Sequence, residues 1–334
     1  MPLDLVVPDL LLPVDAPQAL RSQRLPALES WLARGHVRRL PHRGLEAALA
    51  ATFGLPAPAP IAALTLAADD APRAGGWLRA DPVHLRVGQD AVALHDAGIL
   101  EVTRDEANAL IAALQSLFAD DGLEFVAAKS ERWYVRVPEG EMPRTVPLPD
   151  ALGRNVFRLL PQGTGRINWQ GAITEVQMLF SQHAVNQARE AQGRPAINSV
   201  WFWGEGELPA SIASPYALVC AGEPFATGLG RVAGVRTVAA PRDFASIDAV
   251  RDDESVLVVL DSLTGALRRG DEEAWKRASS ALEETWFAEI DRAIRRFERV
   301  SLVLPGPRDT LVATLTAGTR WRWFRSRKPL AAHA

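Results

Sequence analysis

The 334-residue chain has one cysteine, so disulfides and cysteine-based metal clusters are excluded. That residue, Cys220, lies in the apolar run from Tyr216 to Ala221 and reads as a buried thiol. Positive charge is not in excess either. A formal charge of -3 and a pI near 6.1 give none of the clustered Lys and Arg by which proteins neutralise nucleic-acid phosphates. The local exception is the run WRWFRSRK, Trp321 to Lys328, where cations interleave with aromatics. It is read as a solvated terminal tail rather than an RNA or lipid contact. Long apolar runs are missing too. The start, MPLDLVVPDLLLPVD, has no basic lead and is broken by acids and prolines, so it is neither signal peptide nor membrane span, and a cytoplasmic protein is expected. No repeat of 20 to 50 residues is visible. What is present is ordinary for a globular chain: 48% hydrophobic and 23% charged residues, enough for one large domain with an insert or two smaller domains.

The stretch NSVWFWGEGELPASIASPYALVCAGEPFATGLGRVAG, Asn198 to Gly234, is the most informative. Its apolar runs are too short for helices and are bounded by Gly and Pro, the pattern of strands covered on both faces, which predicts a layered α/β domain. At the N-terminus, Leu3 to Leu12 is a first strand broken by Asp9. A carboxylate at the C-terminal end of a parallel strand faces the crevice in which α/β proteins hold ligands. Two readings stand for Asp9: a site residue, or the cap of the following turn. Helical periodicity is expected from Pro17 to Ala50, with Pro26 at a break or a first turn. Pro56, Pro58 and Pro60 enforce a loop.

The character changes at Gly75-Gly76. Strands are expected at Trp77 to Leu85, Asp90 to His95, Glu124 to Ala128 and Arg132 to Val137, around a helix from Asp105 to Phe118 whose start carries a Thr103/Glu106 capping box. This predicts a small α+β insert over 76–138, with 1–75 and 139–334 as the main domain. A helix is then expected from Ile173 to Ala191, placing His183 and Asn186 on a face with Val176 and Leu179. Buried polar groups need partners, so the pair is either a structural network or part of a site, and Asn198, Trp203 and Glu205 nearby bear on the second reading. Ser255 to Leu260 forms a strand ending in Asp261. A long helix follows from Asp271 to Phe297, then a strand from Val300 to Leu304 stopped by Pro305-Gly306. Trp321 and Trp323 suggest a terminal strand.

Three blocks carry a resemblance. Residues 77–137 resemble the inserted domain of archaeal-type, cofactor-independent phosphoglycerate mutases. Residues 198–234 are similar to their strand, Gly-rich turn, strand and helix. Val256 to Asp261 with GDEEAW and its helix looks like the next strand and helix. The segments DPVHL, QMLFSQHAVNQAR and NSVWFWGEGELP look like a bacterial group of this lineage, the "regulation of pathogenicity factors" E-type proteins. The resemblance implies an alkaline phosphatase-like three-layer α/β/α sandwich, with two metal ions held by Asp and His residues and a Ser or Thr nucleophile. Against that pattern Asp9 matches the first-strand aspartate. Asp261 matches the opening of an Asp-x-x-x-His element, but Gly265 stands where its histidine would be. After Leu304 only Asp309 is offered, and neither His36 nor His42 has a nucleophilic serine beside it.

Two functions compete at this point. One is a degenerate, regulatory relative without mutase activity that binds a small polar or phosphorylated ligand or a protein partner through Asp81, His84, His183, Asn186, Asn198, Trp203 and Glu205. The other is an active phosphomutase or phosphatase with a rebuilt site, in which Asp9 and Asp261 are the candidate catalytic residues. Two carboxylates without imidazoles make a poor transition-metal cage, leaving room for at most a weak Mg²⁺-like site, so no cofactor is assigned. Nucleic acid and membrane are not expected as partners.

Overall fold

β1 (Pro2–Val6) alternates a polar or half-buried position with a buried one and lies in the middle of a seven-stranded sheet. The computed structural model describes residues 1–69, 73–87, 92–95, 100–152, 154–249, 251, 253–322 and 325–333. The chain divides into two compact units, Met1–Pro58 with Ser211–Ala334, and Ala59–Ala210. The second is wider at both ends than the 76–138 insert expected from sequence.

In the first unit, β1 is followed by α1 (Gln18–Arg21), α2 (Pro26–Arg34), β2 (His36–Leu40) and α3 (Gly44–Thr52). Pro26 sits in the first turn of α2, where its missing N–H costs nothing. β2 corrects the all-helical expectation for 17–50.

In the second unit come α4 (Ile61–Asp69), β3 (Gly76–Val87), β4 (Val92–His95), α5 (Arg104–Leu117), β5 (Glu124–Ala127) and β6 (Trp133–Val137). α6 (Leu148–Ala151), α7 (Trp169–Gln182), α8 (Ala184–Ala191) and β7 (Ser199–Glu207) complete it. Its sheet runs β4-β3-β6-β5, with β7 on the other side of β3. Asp90, expected in the second strand, lies outside the described residues. α5 begins with the predicted box: Glu106 N donates to Thr103 Oγ1 at 3.2 Å and Thr103 N to Glu106 Oε2 at 2.8 Å. Leu78, Trp133, Val135 and Phe202 pack with residues of α5 and α7 in one cluster, while Trp77 and Tyr134 pack against α4 in another.

The chain returns to the first unit through β8 (Leu218–Cys220), α9 (Pro224–Val232), β9 (Arg236–Val238), β10 (Val256–Val259), α10 (Thr264–Arg268), α11 (Glu272–Thr285), α12 (Ile290–Arg296), β11 (Arg299–Pro305) and β12 (Thr310–Thr316). The sheet order is β2-β12-β11-β1-β10-β8-β9. β11, β1, β10, β8 and β9 pair in parallel, and β12 runs antiparallel between β11 and β2. Leu3, Leu5, Val256, Val258, Leu302 and Leu304 share a cluster with α1, α2, α11 and α12. Alternation sends Val219 to the opposite face, where α9 lies close enough that a Cβ on Gly230 would meet Val219 Cβ at 3.2 Å. α3 packs beside α9. The result is the expected three-layer α/β/α sandwich.

Three expectations are corrected. β11 runs on through Pro305, and β12 (Thr310–Thr316), a strand not expected from sequence, follows it. The long helix over 271–297 is two helices separated at Trp286–Glu289, with Trp286 and Phe287 buried at the break. Trp321 lies in a 3₁₀ turn (Ala317–Arg322) rather than a strand, and Trp323 is outside the described residues. No helix among the described residues is long and apolar enough to cross a membrane.

Candidate functional site at the strand ends

Parallel strands of an α/β sheet present their C-terminal ends together, and the loops leaving them form the usual ligand crevice. Here β1 and β10 end in register, Val6 opposite Val259, and Leu260 N donates to Val6 O at 2.9 Å. The chain leaves β1 through Val7-Pro8-Asp9. Asp9 has a left-handed backbone, φ 61°, a conformation aspartate tolerates better than most residues, and its carbonyl accepts from Trp275 Nε1 at 3.0 Å. The chain leaves β10 at Asp261, whose carbonyl accepts from Thr264 N at 3.1 Å as α10 begins. Burial raises the Asp261 carboxyl above its usual range.

β8 ends beside β10 and leads through Gly222 to Glu223, the N-cap of α9. Both carboxylate oxygens accept backbone N–H groups, from Phe225 at 2.8 Å and Ala226 at 2.7 Å. Those bonds favour the ionised form. Burial opposes them and dominates, with Glu46 of α3 and then Asp261 adding like-charge repulsion, so the Glu223 carboxyl is pushed up to about 7. A carboxyl titrating near neutrality at a helix N-terminus can donate or accept a proton, or hydrogen-bond a polar group in either state. Glu223 and Glu46 were missed from sequence. A Glu-Pro pair between a strand and a Gly-rich helix was a readable cap signal for Glu223. Glu46 carried no signal, because it comes to the edge only when α3 packs beside α9.

The seven residues expected to bind a ligand all belong to the Ala59–Ala210 unit, and each makes a hydrogen bond within it. Asp81 and Trp203 meet: Trp203 Nε1 donates to Asp81 Oδ2 at 2.8 Å. Arg79 holds the same carboxylate at 2.7 and 2.9 Å and lies 5.2 Å from the ring centres of both Tyr134 and Trp203. Asp81 is 2% exposed and Arg79 6%. Asn198 brackets the edge of β3, accepting from Leu85 N at 2.7 Å and donating to Leu85 O at 2.9 Å. His84 Nδ1 is 2.8 Å from Ala196 O. Glu205, half-buried, accepts from Thr145 N at 3.1 Å and from the Thr145 hydroxyl.

His183 and Asn186 do not share a helix face. The expected helix breaks between α7 and α8, and His183 is the junction, its Nδ1 capping Val185 N at 3.2 Å. Asn186 is buried and fully used: its amide donates to Phe180 O and Ile197 O and accepts from Ile197 N, each at 2.8 Å.

The paired metal ions implied by the resemblance do not fit the residues at the strand ends. The side chains there are carboxylates, two of them held up in pKa by burial, and Glu223 already spends both oxygens on its helix. Four residues past Asp261 stands Gly265, where a Cβ would meet the Arg269 guanidinium at 3.3 Å. Among the described residues no group of three or more His, Cys, Asp or Glu side chains is placed to hold a metal ion.

No protein-family profile matches the chain. It is 25% identical over 166 residues to a probable 2,3-bisphosphoglycerate-independent phosphoglycerate mutase of Geobacter sulfurreducens, covering 48% of this chain and 42% of that one. It is 26% identical over 208 residues to the 2,3-bisphosphoglycerate-independent phosphoglycerate mutase of Methanosarcina acetivorans, covering 57% and 50%. The chain thus spans about half the length of the curated relatives it matches. Its fold is similar to that of the PH0037 protein from Pyrococcus horikoshii, with a TM-score of 0.56 at 12% identity over 99% of this chain and 92% of that one. The chain is a distant relative of the 2,3-bisphosphoglycerate-independent phosphoglycerate mutases.

Proposed function

We propose that this chain is a degenerate relative of those mutases, without mutase activity, that binds a small polar ligand or a protein partner in a regulatory role. The carrying observation is the donor set at the strand ends: Asp9, Glu223 and Asp261 are carboxylates, and Gly265 occupies the position of the expected histidine. Phosphoryl transfer between metal ions needs several anionic and imidazole ligands converging on two ions about 4 Å apart, so that attacking and leaving oxygens are both neutralised. Carboxylates that repel one another, one of them half-protonated near neutrality, favour a neutral polar or cationic group over a phosphorylated one. The seven polar residues of the second unit hold its own strands and helices together, so the binding proposal rests on the strand-end edge.

The test is direct. The purified chain is dialysed against Mn²⁺, Zn²⁺ and Mg²⁺, its metal content is measured, and phosphoglycerate mutase turnover is assayed. The expected result is no turnover and no pair of tightly held ions. Turnover that disappears in Asp9→Asn overturns the proposal. A thermal-shift screen of neutral, cationic and phosphorylated metabolites then separates ligand classes, since a ligand at 100 times its Kd adds about 2.7 kcal/mol to native stability.

A further inference from the structure

Among the described residues, β2 (His36–Leu40) is the last strand of its sheet, hydrogen-bonded to β12 on one side only. Its residues His36 to Arg39 are exposed. An open edge carries unpaired backbone donors and acceptors and is a template for another extended segment. What distinguishes this edge is its charge. Arg38 and Arg39 lie on it, and Arg39 reaches Asp309 at 2.7 Å and the carbonyl of His333. Arg308 adjoins Asp309, and Arg43 Nε donates to Pro307 O at 3.1 Å. Arg327 and Lys328 complete the patch: the first acts on Glu29, the second with Arg39 on His333. The carboxylates here, Asp309 and Glu29, already have arginine partners at 2.7 Å. The His333 imidazole registers the field, for burial and then Arg39 and Lys328 lower its pKa. A chain with a net charge of -3 thus gathers cations around the exposed edge of β2.

We infer that β2 is a docking edge for an extended acidic segment of a partner protein, which adds to the sheet as a further strand. Such a segment satisfies both features at once: its backbone meets the open edge, and its Asp or Glu side chains stand opposite Arg38 and Arg39. A second copy of this chain is disfavoured, because antiparallel pairing of β2 about its centre sets Arg38 against Arg38. A nucleic acid or an anionic lipid surface would engage the cations and leave the strand edge unused. The inference is independent of the strand-end crevice, and its failure leaves the proposed function where it stands.

The probe is a short synthetic peptide with two adjacent glutamates between valines, so that one carboxylate faces each side of the sheet opposite Arg38 and Arg39, with blocked termini, titrated into the full chain at low salt. A matched peptide with proline in place of valine, which cannot complete a ladder, is the control, beside an RNA oligonucleotide and phosphatidylserine vesicles. Binding of the Glu-Val peptide with slowed amide exchange within residues 36–40 is expected. Arg38→Glu should weaken that binding about tenfold while leaving the thermal midpoint of the free chain unchanged. Equal binding of the proline peptide, binding of RNA or vesicles but not of the Glu-Val peptide, or binding that leaves exchange in 36–40 unaltered overturns the inference.

Discussion

Trp203 Nε1 donates to Asp81 Oδ2 at 2.8 Å, on a carboxylate that is 2% exposed and clamped from its other side by Arg79. The indole is both hydrogen-bond donor and one of the two rings flanking the guanidinium. Asp81→Ala strands a buried cation and is expected to cost about 3–5 kcal/mol. Trp203→Asn or Trp203→Ala confounds this with lost packing, so Trp203→Phe is the informative variant: it keeps a ring and removes one bond to a charged acceptor, about 1.5–3 kcal/mol. Urea unfolding of Asp81→Ala and Trp203→Phe measures the difference, and a loss in Trp203→Phe as large as that in Asp81→Ala would contradict this assignment.

Asn186 and His183 separate two readings of the same segment. Asn186→Ala removes three hydrogen bonds inside a buried site and leaves backbone groups of Phe180 and Ile197 without partners, for an expected loss of about 1–3 kcal/mol or more. His183→Ala removes a single cap at a half-buried junction and should cost about 1 kcal/mol. A larger loss for His183 than for Asn186 in thermal unfolding would contradict this assignment.

The carboxyls predict opposite pH trends. Burial alone would raise Asp69 and Glu106, but Arg132 with Tyr134, and the Thr103 N–H with Arg189 and Arg194, hold them below the usual range. A depressed folded pKa contributes stability above the unfolded pKa, and that contribution is lost as pH falls through the folded value. Glu223 is the reverse. Its folded pKa of about 7 lies above the ordinary 4.5, so the folded chain binds its proton more tightly. Its contribution is present below about 4.5 and lost as pH rises to about 7. Glu223→Gln should therefore flatten the decline in melting temperature between those values, whatever offset it adds by losing one of the two cap bonds. A wild-type and a variant whose midpoints run parallel across that range would refute the assignment.

Gly206 has a backbone φ of 148°, and a Cβ there would lie 2.6 Å from Pro60 Cβ and 2.9 Å from Pro60 Cα. Gly206→Ala should destabilise the second unit by about 2–4 kcal/mol, because strain and overpacking coincide. Gly193 also has a positive φ but open space around it, so Gly193→Ala should cost only about 1 kcal/mol. Denaturant midpoints of the two variants test the contrast.

Much of the fold was readable because its strands are covered on both faces and so stand out as short apolar runs: β1, β7, β8, β10 and β11 all did. β2 did not. HVRRL is exposed along almost its whole length, so it has neither an apolar run nor an alternation, and the helical pattern before it masks it. β12, TLVATLT, has the right composition, but its place between β11 and β2 follows from pairing alone. The break at His183 has no Gly or Pro to mark it; Asn186 reveals it by reaching back to Phe180 and forward to Ile197. At the site, Asp9 and Asp261 were legible as strand-end carboxylates. Glu46 and Glu223 were not legible as a pair, since no local pattern joins residues so far apart in sequence.

The central position of β1 carries a consequence for how the chain is made. β1 is synthesised well before its partners, Val256–Val259 and Arg299–Pro305. At about 5–20 residues per second, synthesis of the intervening chain lasts on the order of tens of seconds. Residues 59–210, by contrast, hold every strand of their sheet in one continuous stretch and can close it while the rest is still being translated. The apolar β1 therefore waits, unpaired and sticky, until Arg299–Pro305 has been made, and over that interval it is a segment a chaperone would shield.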